Sequence, residues 1–366
     1  MTERSIVEAA ARLRRHGEPY LVASVVATHG EPLRRVGARM LLTRFRWVAG
    51  TVCGGVLEGD LSNSAWRRTR DAPVLVRYDA ASSALVDDED IRSVFGLGGD
   101  GVVEVLLERG ALPGHIDALE VASRCQRTQR PAVIATVFRS ESPTVRPGAR
   151  LAQLAGGALE EEAEPLDARV QVAIAADLAI ALETGSSRPR AYVTPDGAVE
   201  ALIEYITPPP RLFLFGTGHD AVPVAQLARQ LGWEVIVCPA HTRFSTRERF
   251  AMADEVLSDT LREVGARIEA SYRPLAVVMN HDAAFDAQVL ALLLATRTQH
   301  IAALAPRSRA LDPRVHVIEH GDAPPETALA ILASARAALE PAVAPRDPAP
   351  RPSPRTPTPT LAATVG

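Results

Sequence analysis

Apolar and polar positions fall into two regimes along the chain. In residues 1–17, Ile6, Val7, Ala10 and Leu13 recur at helical spacing. PYLVASVVATHG (19–30) is then a continuous apolar run, the pattern of a buried strand, and GARMLLT (37–43) predicts another. WVAGTVCGG follows at 47–55, LEGDLSNSAWRRTR reads as a helix after a glycine turn, and APVLVRYDA and GVVEVLLERG supply two further strands. The pattern predicts an α+β domain over residues 1–206 with mostly β connections.

The prolines of TPPPR (207–211) stiffen the chain and mark a boundary. Beyond it the spacing predicts strand 212–215, helix 221–231, strand 234–238, helix 246–252, strand 255–257, strand 275–279, helix 283–297, strand 301–305, strand 315–319 and helix 325–338. Such alternation predicts a Rossmann-like, doubly wound parallel sheet over 207–340, so the whole chain is of α/β class. Residues 341–366 are Pro-rich with little to bury and are expected to form a disordered tail.

Within the first domain the chain echoes itself. SVVATHGEPLRRVGARM (24–40) aligns without gaps on ATVFRSESPTVRPGARL (135–151), matching Pro32 with Pro143, Arg35 with Arg146, and Gly37-Ala38-Arg39 with Gly148-Ala149-Arg150. This predicts an internal β repeat, with units at 20–42 and 131–153. Only the first copy is followed by a glycine-rich segment with a cysteine, so the chemistry is expected there.

Composition narrows the function classes. A net charge of −4, with 47% hydrophobic and 23% charged residues, is that of a soluble globular protein without the global positive field of a nucleic-acid binder. No apolar run reaches the ~20 residues that span a bilayer, and the start is a charged amphipathic helix, so a cytoplasmic protein is expected. All basic residues are Arg, which excludes a lysine Schiff base and a Walker-type lysine. Cys53, Cys125 and Cys238 have no CxxC spacing and are expected as free thiols.

Four segments carry candidate chemistry. LFLFGTGHDA places G-x-G-x-x-A between a strand and a helix: Gly216 for the turn, Gly218 for backbone approach by a phosphate, His219 beside it, and the helix N-terminus for an anion. Asp220 puts a carboxylate near the phosphate position or caps the helix. At the end of the second strand, where an acid normally binds ribose, stands Cys238, followed by Pro239, His241 and Arg243, which disfavours NAD. Asn280, His281 and Asp282 end another strand and should face the glycine loop, although Asp282 is also placed to cap the next helix. Cys53, Gly54, Gly55 and Glu58 make a thiol-bearing glycine segment at a helix start, preceded by Arg34, Arg35 and Arg39 as phosphate-competent forks. A buried cysteine beside a glycine bulge is the plain reading of the same residues.

In combination, EPLRRVGARMLLT, GTVCGGVLEGDL, FGLGGDGVVEVLLE, LFLFGTGHD, RFSTRERFAMADEV and NHDAAFDAQVL resemble the XdhC/CoxI family of molybdenum hydroxylase accessory proteins. The resemblance implies a non-catalytic chaperone that binds the molybdenum cofactor, as molybdopterin or its cytosine dinucleotide form. It would assist the cofactor's sulfuration with a cysteine desulfurase and pass it to a molybdenum hydroxylase apo-enzyme, with a homodimer as one form it could take. Gly216, Gly218, His219, Asp220, Asn280, His281 and Asp282 would then hold the phosphate or nucleotide end, and Cys53, Gly54, Gly55, Glu58, Arg35 and Arg39 would approach the pterin or the partner. The chain departs from the family where Cys53-Gly54-Gly55-Val56 replaces Ser-Gly-Gly-Cys and where Cys238-Pro239 replaces an acid. Two other readings use the same residues: an NAD(P)-dependent oxidoreductase, and a scaffold that binds only proteins.

Overall fold

The structure is a computed structural model that describes residues 2–29, 36–53, 56–79, 101–162, 166–240, 247–304, 312–319 and 321–339, with only the backbone at Val56. Arg34, Arg35, Gly54, Gly55, His241, Arg243 and the Pro-rich tail lie outside these residues.

The internal repeat is larger than the β units that the alignment predicts. The first copy runs α1 (Glu3–Arg15), β1 (Leu21–His29), β2 (Arg39–Leu42), β3 (Trp47–Gly50), α2 (Val56–Arg68), β4 (Val74–Asp79) and β5 (Val102–Arg109). The second runs α3 (Ala118–Thr128), β6 (Ala132–Ser140), β7 (Arg150–Leu154), β8 (Leu159–Glu161), α4 (Ala168–Thr184), β9 (Arg188–Thr194) and β10 (Gly197–Ile206). Both form antiparallel five-stranded sheets in the same order, β3-β2-β1-β5-β4 and β8-β7-β6-β10-β9. The aligned glycines agree in detail, Gly37 at φ 89° and Gly148 at φ 92°. The strand-to-helix run after the second copy is thus the counterpart of the run through Cys53, not a departure from it.

Side-chain alternation on the strands explains how the copies stack. Leu21, Ala23 and Val25 of β1 pack with Leu57, Leu61 and Ala65 of α2 on the outer face. Val22 points the other way, into a shared core with Ile6, Ala10 and Leu13 of α1, Leu119 and Ala122 of α3, and Ile134 of β6. In the second copy Val133, Ala135 and Val137 pack outward on Val170, Ile174 and Leu178 of α4. The order is therefore α2, sheet, α1 with α3, sheet, α4. Strands covered on both faces read as continuous apolar runs rather than alternating ones.

Residues 211–339 form the parallel unit. Strands β11 (Arg211–Phe215), β12 (Glu234–Cys238), β13 (Glu255–Val256), β14 (Pro274–Val278), β15 (His300–Leu304) and β16 (Val315–Ile318) lie in the order β13-β12-β11-β14-β15-β16. All neighbours are parallel. This is the Rossmann order, with its switch point between β11 and β14. Helices α5 (Ala221–Gln230), α6 (Leu261–Glu269), α7 (Ala283–Leu294) and α8 (Pro324–Leu339) cover the faces. The helix expected at 246–252 is a run of turns over residues 247–252, while α6, absent from the expectation, starts on a Thr260/Glu263 capping box. Among the described residues no helix is long and apolar enough to cross a membrane.

Helix α1 ties the units together. Arg4 donates to the Trp233 carbonyl and pairs with Asp254, and Arg229 pairs with Glu8 at 2.9 Å. Tyr205 of β10 shares a 2.8 Å hydrogen bond with Tyr272.

One buried group makes the parallel unit acid-sensitive. His300 is fully buried, stacks on His316 with centroids 4.3 Å apart, and places Nε2 3.3 Å from the Ser334 hydroxyl, while Nδ1 has no hydrogen-bond partner among the described residues. Burial, and then the neighbouring His316, depress its pKa from 6.5 to about 4. The folded state therefore binds fewer protons than the unfolded one between these values, so this group costs stability as pH falls through that window. Chemical denaturation at pH 7.5 and 5 should show wild type losing more stability than His300→Gln, and equal losses would contradict the assignment.

Candidate functional site

The switch point brings together two of the expected segments. Gly216 ends β11 at φ 150°, where a Cβ would lie 2.7 Å from the Met279 carbonyl oxygen and 2.6 Å from Met279 Cγ. Glycine is needed here because the loop presses on the end of β14, which carries Asn280, His281 and Asp282 into the same mouth. His281, itself at φ 62°, sets Nε2 3.0 Å from Asp220 Oδ2, and His219 is exposed beside it.

Asp220 changes the chemistry of the loop. It occupies the N-cap of α5 but makes no capping hydrogen bond. Instead its carboxylate turns back over Gly218, where an added Cβ would meet Asp220 Oδ1 at 2.4 Å. A carboxylate thus sits against Gly218, the glycine expected to admit a phosphate. The other two residues of the mouth serve the loop itself. Asn280 donates to Asp286 at 2.7 Å, and Asp282 caps α7 by accepting from the Ala284 and Phe285 amides at 3.0 and 3.1 Å. Cys238 is a core residue at the end of β12, with its thiol held protonated by burial.

The second group of expected residues divides between the outer face of the first sheet, with Cys53 and Glu58, and the seam between the repeats, with Arg39. Cys53 is buried under the first sheet with Val52, Leu57 and Leu61. Glu58, in the first turn of α2, reaches back with one oxygen and accepts from Thr51 Oγ1 at 2.5 Å, Val52 N at 3.0 Å and Cys53 N at 2.8 Å. The Val52 and Cys53 amides that could have met a ligand are therefore occupied by a protein carboxyl that is 1% exposed. Arg39 is not a free phosphate fork either. It is 5% exposed, and its Nη2 pairs at 2.6 Å with Glu204 from the second repeat. Burial opposes the charge, but the Glu204, Glu3 and Glu108 carboxylates together more than offset this and raise the Arg39 pKa.

These segments border a cavity of about 510 Å³. Gly37, Arg39 and Thr51 line it from the first repeat, Glu204 and Tyr205 from the second, and Glu3 from α1. Arg39, a residue of this wall, keeps a buried Nε with no hydrogen-bond partner among the described residues. Sequence reasoning missed Glu204 and Thr51. The trace of Glu204 was present: VVEVLLER and AVEALIEY put Glu104 and Glu108 of β5, and Glu200 and Glu204 of β10, at the same spacing. Arg139 joins the other two, at 2.6 Å from both Glu104 and Glu200.

Comparison with known proteins fits this geometry. Residues 13–79 match the model of the XdhC and CoxI family, and residues 212–334 match that of the XdhC Rossmann domain. A Bacillus subtilis (strain 168) protein, described as a probable subunit of xanthine dehydrogenase, is 30% identical over 114 residues. That match spans 31% of this chain and 34% of the relative, about a third of its length. The crystal structure of a xanthine dehydrogenase from Bacillus halodurans superposes with a TM-score of 0.68 at 20% identity, covering 94% of this chain and 98% of that one, and so shares the fold. With one family model on the first repeat and the other on the parallel unit, the chain belongs to the XdhC and CoxI family.

Proposed function

We propose that this protein is an accessory factor for a molybdenum hydroxylase of the xanthine dehydrogenase type, carrying the molybdenum cofactor as cargo rather than turning over a substrate. One observation carries the reading: two of the segments behind the family resemblance, around Gly37–Arg39 and Gly50–Thr51, border a single cavity of about 510 Å³. That volume lies within the range of small-molecule sites. The unpartnered Arg39 Nε suits an acceptor-rich ligand such as a pterin or its phosphate, because a buried donor left unmade costs free energy that a ligand acceptor recovers. Thr51 lines the same cavity, and Cys53 follows it under the sheet, held by Glu58. In this reading the cysteine desulfurase and the apo-hydroxylase are the partners before and after loading. The dinucleotide reading gains no support, because buried Cys238 offers no carboxylate to ribose and the Asp220 carboxylate lies against Gly218.

The test uses molybdenum cofactor released from a molybdoenzyme and mixed with the full chain. After gel filtration, molybdenum and pterin fluorescence should travel with the protein. Ser187→Trp, which fills the cavity from an exposed lining position, should reduce retention by about tenfold or more. Cys53→Ala asks separately whether the thiol contributes. No retention by wild type would overturn the cargo reading, and capture of the apo-hydroxylase without cofactor would favour a scaffold.

A further inference from the structure

The duplication builds a second cavity, and its chemistry has been changed. Pro147, Gly148, Ala149 and Arg150 stand where Val36, Gly37, Ala38 and Arg39 stand in the first, and Glu108 and Arg109 replace Glu204 and Tyr205. The second cavity is about 710 Å³, far more than a lone phosphate needs and within the range of small organic ligands. Its arginine count has risen: Arg70, Arg109 and Arg146 join Arg150 on the wall, where among the described residues the first cavity has Arg39 alone.

The buried polar atoms define what could bind. Arg150 is fully engaged: Nε donates to Thr136 Oγ1 at 3.1 Å, Nη1 to the Ile116 carbonyl at 3.1 Å, and Nη2 to Glu108 Oε1. This fixes Glu108, which is 6% exposed, and leaves its Oε2 buried with no hydrogen-bond partner. Arg109 lies over the Trp66 ring at 4.8 Å and also keeps a buried Nε without a partner. Among the described residues, the cavity is thus bordered by a buried unmet acceptor, Glu108 Oε2, and a buried unmet donor, Arg109 Nε, from opposite faces of β5, and Arg70 adds an exposed guanidinium. Pro73, Pro147 and Leu112 supply apolar surface between them.

We infer that this second cavity binds a phosphate monoester of an amino-bearing heterocycle, of about mononucleotide size. An N–H edge of the ring would satisfy Glu108 Oε2, the prolines and Leu112 would cover the ring faces, and Arg70 and Arg109 would meet the phosphate by charge-assisted hydrogen bonds. A free nucleotide and a phosphorylated pterin share this chemistry. The inference goes beyond the cargo reading and does not depend on it, because it concerns the other cavity.

Calorimetric titration of the full chain at low salt tests it, with GMP as the probe. GMP should bind measurably, with guanosine and inorganic phosphate each weaker by about tenfold or more. Arg70→Ala, at an exposed position, should weaken GMP but not guanosine, and Glu108→Gln should weaken guanosine and GMP alike while leaving phosphate unchanged. Thermal melts establish that each variant is folded. Competition by a phosphorylated pterin distinguishes the two ligand sources. Ser187→Trp should leave the GMP titration unaltered, so failure here and failure of the cargo reading are separable. Absence of GMP binding, or GMP binding insensitive to both variants, would overturn the inference.

Discussion

Arg39→Ala should destabilise the repeat unit by about 3–5 kcal/mol, the usual cost of removing one member of a buried ion pair. The Arg39 and Glu204 side chains are 4% and 7% exposed, and the pair joins the two repeats across 2.6 Å. Alanine would leave the Glu204 carboxylate buried, with Glu3 now adding repulsion that Arg39 had screened from 3.8 Å. Because most of the penalty is the orphaned charge, Arg39→Met combined with Glu204→Leu should recover most of the lost stability. Urea denaturation of the wild type, the single variant and the double variant measures this directly. The twin pair Arg150–Glu108, with side chains 7% and 8% exposed, should respond in the same way. A loss below about 1 kcal/mol in Arg39→Ala would mean that the pair is solvated in solution.

The same pair marks where sequence reading reaches its limit. The alternation from β11 onward and the G-x-G-x-x-A loop are local patterns, so the parallel sheet and the meeting of the glycine loop with His281 followed from them. The β repeat was visible because 24–40 and 135–151 align without gaps, but its helices and last two strands have diverged too far to align on their own. Helix α6 was overlooked although Thr260 and Glu263 spell its capping box. Side-chain direction was not legible at all. Whether Asp220 caps its helix or lies over Gly218 depends on His281, 61 residues away, and the partner of Arg39 lies 165 residues away. Arginine near a glycine loop is equally compatible with a phosphate and with an internal carboxylate. Only tertiary contact decides between them.

Glu58 offers the sharpest test of how the first cavity is held. Glu58→Ala should cost about 3 kcal/mol, because it removes a buried acceptor from one hydroxyl and two buried amides at once. Glu58→Gln retains the accepting oxygen and should cost about 1 kcal/mol, its new N–H donors being the main penalty. The loss should be local, since these bonds fasten Thr51 to Cys53 to the start of α2 rather than one sheet to another. The three thiols, all outside disulfides, allow this to be read in a single experiment. Cys125 and Cys238 are buried in other cores, with burial pushing the former up to about 12, so both react only when those cores open. In Glu58→Ala, Cys53 should be alkylated about tenfold faster than in wild type, while Cys125 and Cys238 keep their rates, the factor expected for ~1.4 kcal/mol of local opening. Equal acceleration of all three would instead mean that Glu58 supports the whole fold. In that case the loop has no independent motion.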